Sequence, residues 1–327
     1  MREDDSRRRR VIWDISRRLH ALDYAVMLPL MARLPLAVGY MLASLRGWLN
    51  GLVGRDWRSM ELETRRVARQ SAAGYRMLLP GTPEDRVRSL VRERFATESR
   101  EEFEGRLIVA GKVNRLRCAI VPDAFLDACL NLDRGLVLLT PHFDSFILGV
   151  VFLGQAGVRV NLMSSVGSSD SRIEPAVYQH FYAKYAGMER YMNGGRVLPL
   201  EHGLRPFYQM LERKECVVIL ADVPPIAKGV WVTPSFLGAK RSLAGGALRM
   251  AQKTGSDLGA FVCRFEGRGH YRVEGGPILD ATDPQALDAV YSFLSGAIAA
   301  SPGRWWATDL LPAMTVVDTQ PPQQCDS

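Results

Sequence analysis

Cysteine is sparse and unpatterned in this chain: five residues in 327 (Cys118, Cys129, Cys216, Cys263 and Cys325), with no Cys-x-x-Cys pair. Scattered thiols suggest neither a zinc site nor a disulfide framework, and they suit a reducing cytoplasm. Gly-x-Ser-x-Gly, the phosphate-loop pattern and His-Glu-x-x-His are also missing, which sets aside elbow-type hydrolases, phosphate-loop enzymes and zinc peptidases. Histidine is scarce as well. His20, His180 and His270 stand in no motif, and solvated or core positions are the default for each. No internal repeat and no long low-complexity stretch occurs.

What is present supports a large core, because 47% of the residues are hydrophobic. That content suits one large α/β domain with an appended segment. The net charge of +7 is concentrated, since residues 1–70 hold 14 Arg against 8 Asp or Glu, six of the seven net positive charges. Arg7 to Arg10, Arg17 and Arg18 precede an apolar stretch from Tyr24 to Leu45, which is followed by Arg46, Trp48, Arg55, Trp57 and Arg58. Basic residues beside apolar sequence with interfacial tryptophans favour an anionic membrane surface. Nucleic acid is disfavoured, because the neighbours are Met, Leu, Pro and Ala rather than stacking aromatics in a basic groove. Arg33 sits mid-stretch, where a charge costs about 2.5–3.5 kcal/mol on insertion, and Pro29 and Pro35 interrupt the helix. A monotopic anchor lying in the interface is therefore expected, with a core helix hairpin as the alternative. The late start of the apolar stretch and Arg33 speak against a cleaved signal peptide. The expected organisation is a basic, membrane-associated helical segment over 1–63, an α/β domain over 64–318 and a disordered tail over 319–327.

Gly135-Leu136-Val137-Leu138-Leu139-Thr140 reads as a strand buried on both faces, and it runs straight into Pro141-His142-Phe143-Asp144. In open parallel sheets ligands bind beyond the carboxyl ends of such strands, so His142 is a candidate reactive imidazole. The alternative is a histidine that caps the next helix. Residues 64–130 read as helical, with Pro83-Glu84-Asp85 as a helix start. Strands at Val158–Met163, Arg196–Leu200, Cys216–Ala221 and Leu258–Phe265 then alternate with helices at Glu174–Met188 and Leu204–Arg213. That alternation predicts an α/β fold, a mostly parallel sheet flanked by helices. It would bring His142, Ser164 with Ser165, Glu201 with His202, and Asp222 to one rim.

A glycine-rich block, Phe236-Leu237-Gly238 through Ala244-Gly245-Gly246-Ala247-Leu248, begins as a turn and ends as a helix. The helix N-terminus at Gly245 and Gly246 could receive an anion or could serve close packing. Thr254-Gly255 reads as a helix end with a glycine at C′.

Taken in order, these blocks resemble the lipid A late acyltransferases of the lysophospholipid acyltransferase superfamily. The likeness runs through Leu138-Leu139-Thr140-Pro141-His142-Phe143, Val218-Ile219-Leu220-Ala221-Asp222, Phe236-Leu237-Gly238, Ala244-Gly245-Gly246-Ala247-Leu248, Lys253-Thr254-Gly255 and Pro302-Gly303-Arg304-Trp305-Trp306. Two departures stand out: the acidic residue expected five positions after the histidine is Ile147, and the Tyr-Arg-Pro segment is replaced within Met163 to Asp170. The resemblance implies transfer of a fatty acyl chain from acyl carrier protein, a co-substrate rather than a cofactor, to a hydroxyl of a glycolipid. That acceptor is lipid A-like or the lipid terminus of a capsule or polysaccharide, and the place is the cytoplasmic face of a bacterial inner membrane. Such chemistry needs a base and oxyanion donors. His142 suits the first task. Asp144 is the first choice to orient it, with Asp222 and Glu201 as the other rim carboxylates. Arg172, Arg196 and Arg241 are candidates for an oxyanion or phosphate, and Ser164, Glu201, Gly245 and Gly246 for substrate contact. A catalytically silent glycolipid or acyl-chain binding protein and a thioesterase-type hydrolase are the rival readings.

Overall fold

The computed structural model describes residues 15–59, 66–164, 173–225 and 229–317. The basic run Arg7–Arg10, Ser165, Arg172 and the tail 319–327 lie outside them. Residues 15–22 (α1), a π turn at Asp23–Met27 and Leu28–Met31 (α2) form a bent helical arm, followed by α3 (Leu36–Val53). Pro29 falls just after the π turn, where the i to i+5 spacing accommodates a residue without an N–H, and Pro35 precedes α3, where the missing N–H breaks no helical hydrogen bond. After α4 (Arg66–Leu78) comes α5 (Glu84–Val109), with Pro83 at its N-cap and Glu84 and Asp85 in its first turn, as the sequence suggests. Helix α3 lies along α5 through its small residues. A Cβ on Gly47 would stand 2.4 Å from the Phe95 carbonyl oxygen, so the two backbones nearly touch. The N-terminal helices are thereby fastened to the body of the protein. Among the described residues no helix is long and apolar enough to cross a membrane.

The body continues with β1 (Arg117–Val121), α6 (Asp123–Leu130), β2 (Leu136–Thr140), α7 (Phe146–Gln155), β3 (Val160–Ser164), α8 (Pro175–Met188), β4 (Val197–Pro199), α9 (Arg205–Glu212) and β5 (Cys216–Leu220). Four two-residue strands follow: β6 (Trp231–Val232), β7 (Ser235–Phe236), β8 (Ala239–Lys240) and β9 (Leu243–Ala244). Helix α10 (Gly246–Thr254), the long strands β10 (Asp257–Gly267) and β11 (His270–Asp280), α11 (Ala286–Ala300) and a 3-10 stretch over Trp306–Ala313 complete the chain. The seven-stranded sheet has the order β1-β11-β10-β2-β5-β3-β4. Strands β10, β2, β5, β3 and β4 are mutually parallel, whereas β11 runs antiparallel to β10. The mostly parallel α/β architecture is as expected.

Residues 64–130 are not helical throughout. Strand β1 interrupts them, pairing only with β11, and β11 carries Gly275, Gly276 and Pro277 within it. A half-exposed edge strand and a glycine-rich partner give a weak period-two signal.

Strand β2 is buried on both sides because its alternate side chains feed two cores. Leu136 and Leu138 join Phe103, Leu148 and Val151 on the α5 and α7 face; Val137 and Leu139 join Phe207, Met250 and Leu294 on the α9 to α11 face. At about 1.5–3 kcal/mol for each fully buried side chain, these layers fix the central strands firmly. Gly255 ends α10 with φ +60, the left-handed residue that Thr254-Gly255 suggests.

Candidate active site

Adjacent strands β2 and β5 end in register, Thr140 opposite Leu220, and the Ala221 N–H continues the ladder to the Thr140 carbonyl at 2.9 Å. Two residues past each strand end stand His142 and Asp222. The His142 ring places Nδ1 2.8 Å from Asp222 Oδ1, and the His142 main-chain N–H donates to Asp222 Oδ2 at 2.8 Å. The indole N–H of Trp305 donates to Oδ2 as well, at 2.7 Å. Burial opposes ionisation of the fully enclosed Asp222, but the His142 charge and these hydrogen bonds outweigh it and hold the carboxyl below its ordinary range. An ionised carboxylate only accepts, so Nδ1 carries a proton in either charge state, and in the neutral ring Nε2 presents its lone pair. The imidazole is wedged edge-on between Phe146 and Trp306, at centroid distances of 5.4 and 4.8 Å, while the His142 carbonyl accepts the Trp306 N–H. Ring and backbone are both immobilised.

Asp144, the first choice to orient the histidine, is engaged elsewhere. Its carboxylate accepts from Arg100, from Arg304 at 2.7 Å and from the Phe265 N–H at 3.1 Å. Its backbone has φ +49, a left-handed conformation that Asp tolerates and that separates its side chain's course from that of His142. Asp144 therefore ties the loop after β2 to β10 and to the turn at Arg304.

His142 opens on a cavity of about 270 Å³. Most of its lining is apolar: Phe146, Ile147, Leu162, Met163, Ile173, Leu220 and Val223, joined by the rings of Trp57, Tyr178, Phe181, Tyr185 and Trp306. Ile147, at the position of the expected acid, is part of this apolar lining and is buried. Charged residues border it as well: Glu98, Glu101 and Glu102 of α5, Lys184 of α8, and Arg58. Lys184 is enclosed and pairs with Glu101 at 2.8 Å; Arg58 pairs with Asp56 and Asp309 at 3.2 and 3.3 Å. Glu98 accepts from Arg94 at 2.6 Å.

Of the other rim candidates, Ser164 lines the cavity. Glu201 lies on an exposed turn after β4, and the main-chain N–H of Arg196 donates to Asn161 Oδ1; neither residue borders the cavity. Arg241 is buried away from it, donating to the Phe236 and Met314 carbonyls. Gly245 packs on the β6 backbone, its N–H donating to the Val230 carbonyl at 2.7 Å, and Gly246 opens α10; both also lie apart from His142's cavity. The charged wall was not legible in the sequence, because Glu98 to Glu104 resembles a solvated helix face. Trp305 and Trp306 belong to the terminal block quoted above, but nothing in their spacing assigns them a role.

Residues 89–307 match the family model described as bacterial lipid A biosynthesis acyltransferase. A phosphatidylinositol mannoside acyltransferase of Mycobacterium tuberculosis is 31% identical over 201 residues, 57% of this chain and 58% of the relative's length. One of the same name from Mycolicibacterium smegmatis is 26% identical over 241 residues, 70% of this chain and 74% of the relative. The crystal structure of the 1-acyl-sn-glycerophosphate acyltransferase PlsC from Thermotoga maritima aligns with a TM-score of 0.36 at 11% identity, over 81% of this chain and 97% of that one. With its histidine at the exit of a buried parallel strand and the family match spanning most of its length, the chain belongs to the bacterial lipid A biosynthesis acyltransferase family.

Proposed function

We propose that the protein transfers a fatty acyl chain from a thioester, carried by acyl carrier protein, to a hydroxyl of a membrane glycolipid, with His142 as general base. The observation that carries this reading is the His142–Asp222 pair at the wall of a largely apolar cavity. An acceptor hydroxyl gives its proton to Nε2 as its oxygen attacks the thioester carbonyl, and Asp222 stabilises the imidazolium. The new C–O bond forms, the C–S bond breaks, and the proton passes from His142 to the departing thiolate. The apolar lining suits the acyl chain. A mannosylated phosphatidylinositol is the acceptor class that the two named relatives suggest.

Placement at the cytoplasmic face of the inner membrane is part of the same proposal. Ile15, Leu19, Leu22, Met41, Leu45, Leu49 and Val53 are exposed on α1 and α3, and Leu19, Leu22, Leu45, Leu49 and Val53 line a surface groove between them. An exposed apolar helical face suits a bilayer surface. Asp222 supplies the carboxylate that Ile147 cannot, which favours an enzyme over a silent binding protein. Mass spectrometry of glycolipids from cells carrying the wild-type gene, a deletion or His142→Ala tests the reading. One glycolipid short of one acyl chain in both mutants is expected. Full rescue of the deletion by His142→Ala would rule out base catalysis, and acyl release to water with no acylated lipid would point to a hydrolase.

A further inference from the structure

Trp305 and Trp306 divide the His142–Asp222 pair between them. Residues 304–306 run antiparallel to the loop after β2, with Phe143 opposite Trp305. The Trp306 N–H donates to the His142 carbonyl at 3.1 Å, and the Asp144 N–H to the Arg304 carbonyl at 2.9 Å. Trp305 has extended backbone, φ −88 and ψ 100, and in extended chain successive side chains leave on opposite sides. Trp306 accordingly turns to the cavity and the imidazole, whereas Trp305 turns inward and reaches Asp222. With its side chain fully buried, Trp305 touches no substrate and acts on the chemistry only through that carboxylate.

The indole is itself held in place. It meets Phe236 edge-on at 6.1 Å, and Phe236 meets Tyr291 of α11 edge-on at 5.4 Å. The Tyr291 hydroxyl donates to the carbonyl of Ala221, the residue before Asp222, at 2.9 Å. One aromatic row thus holds both the main chain ahead of Asp222 and its carboxylate. On Asp222 Oδ2 the indole N–H, at 2.7 Å, joins the His142 main-chain N–H, at 2.8 Å. A single donor restrains the distance of one oxygen and leaves the carboxylate plane to turn. Two donors from separate segments set that plane, and Oδ1 is then aimed at Nδ1 of the ring. An indole N–H only donates, so it engages the carboxylate without competing for the histidine proton.

We propose that Trp305 is a positioning residue for acyl transfer: its indole N–H fixes the plane of the Asp222 carboxylate and keeps Oδ1 on the His142 ring while the imidazole takes up and returns a proton. This rests on the acyl-transfer reading and adds the residue that aims its acid.

The test compares Trp305→Phe with the wild type, as full chains, in transfer from palmitoyl-CoA to phosphatidylinositol mannoside in detergent micelles. Loss of the N–H is expected to lower kcat about thirtyfold, in line with one hydrogen bond to a charged group, with both KM values moving less than about twofold. In an Asp222→Asn background the same substitution should cost less than about threefold, because its route to the chemistry is already cut. A readout that needs no turnover is the far-downfield proton resonance of His142 Nδ1–H, identified by its loss in His142→Ala and expected to be displaced in Trp305→Phe. Site-specific benzothienylalanine, which keeps the bicyclic shape with sulfur in place of the N–H, carries the test if Trp305→Phe unfolds. Unchanged kcat and an unmoved resonance in the folded variant overturn the proposal. A full loss on top of Asp222→Asn also overturns it, since Trp305 would then serve packing alone. A displaced resonance in a protein whose wild type acylates nothing keeps the positioning role and sinks the transferase reading.

Discussion

Asp222 holds His142 at two points, with one carboxylate oxygen at the ring Nδ1 and the other at the main-chain N–H, both at 2.8 Å. The grip follows from strand register. Thr140 and Leu220 are paired on parallel neighbours, so equal steps beyond them bring imidazole and carboxylate together without a loop having to search for the geometry.

Asp222→Asn keeps the shape of the side chain and removes the charge that fixes the tautomer and supports the imidazolium. Transfer is expected to fall by about 10³–10⁴ in kcat, by analogy with the loss on neutralising a triad aspartate. Adding Ile147→Asp to that variant should not restore the rate, because a carboxylate there cannot also bind the His142 N–H and the Trp305 indole. Single-turnover acyl transfer checks both, and recovery in the double variant would mean that Asp222 is dispensable.

Asp144→Ala should act on folding. It removes the partner of two guanidinium groups, Arg100 and Arg304, and uncoupling a buried ion pair costs about 3–5 kcal/mol. Urea unfolding should show that loss, while kcat per folded molecule stays within about threefold of wild type. A deep loss of kcat with normal stability would return Asp144 to the chemistry.

Burial, reinforced by Asp144 and opposed by Arg100, pushes the Glu104 carboxyl up to about 8. The native protein then holds a proton between pH 4.5, the group's ordinary value, and about 8 that the unfolded chain releases. Stability from this group is full below that window, is lost as pH rises through it, and levels off above. Glu104→Gln should flatten the slope between pH 5 and 8 in unfolding free energies measured by urea. Identical slopes for both proteins would refute the assignment.

Met41→Glu with Leu45→Glu places two charges on the exposed face of α3, away from the cavity. Co-sedimentation with anionic vesicles should drop by at least about tenfold, given the cost of burying charge in the interface, while the circular dichroism spectrum is retained. Undiminished sedimentation would place membrane contact elsewhere.

The sequence foretells those parts of the fold whose local pattern agrees with their tertiary role. Apolar runs bounded by Gly and Pro reveal β2 and β5, and the rim argument brings His142 and Asp222 to the same edge. It ranks Asp144 above Asp222 because it counts distance along the chain, whereas the choice is made by the backbone twist at Asp144 and by pairing across strands. Helix α5 fails for a related reason. Its buried stretch from Thr97 to Glu104 holds four glutamates and Arg100, and nothing local signals that Arg46, Lys184, Asp144 and Arg58 would converge on it from four other segments. Strand β11 hides behind its glycines and proline, and its neighbour β1 goes unseen with it.

The backbone contact at Gly47 reaches further than helix packing. Helix α3 bears the exposed apolar face on one side and touches α5 on the other, and α5 lines the His142 cavity; Arg46 of α3 bonds Glu102 of α5 and Asp23. Whatever surface α3 rests on, the imidazole stands at a set elevation above it. On the proposed chemistry, such a molecule would work as a gauge, admitting to its imidazole only those hydroxyls whose own stem carries them to that height.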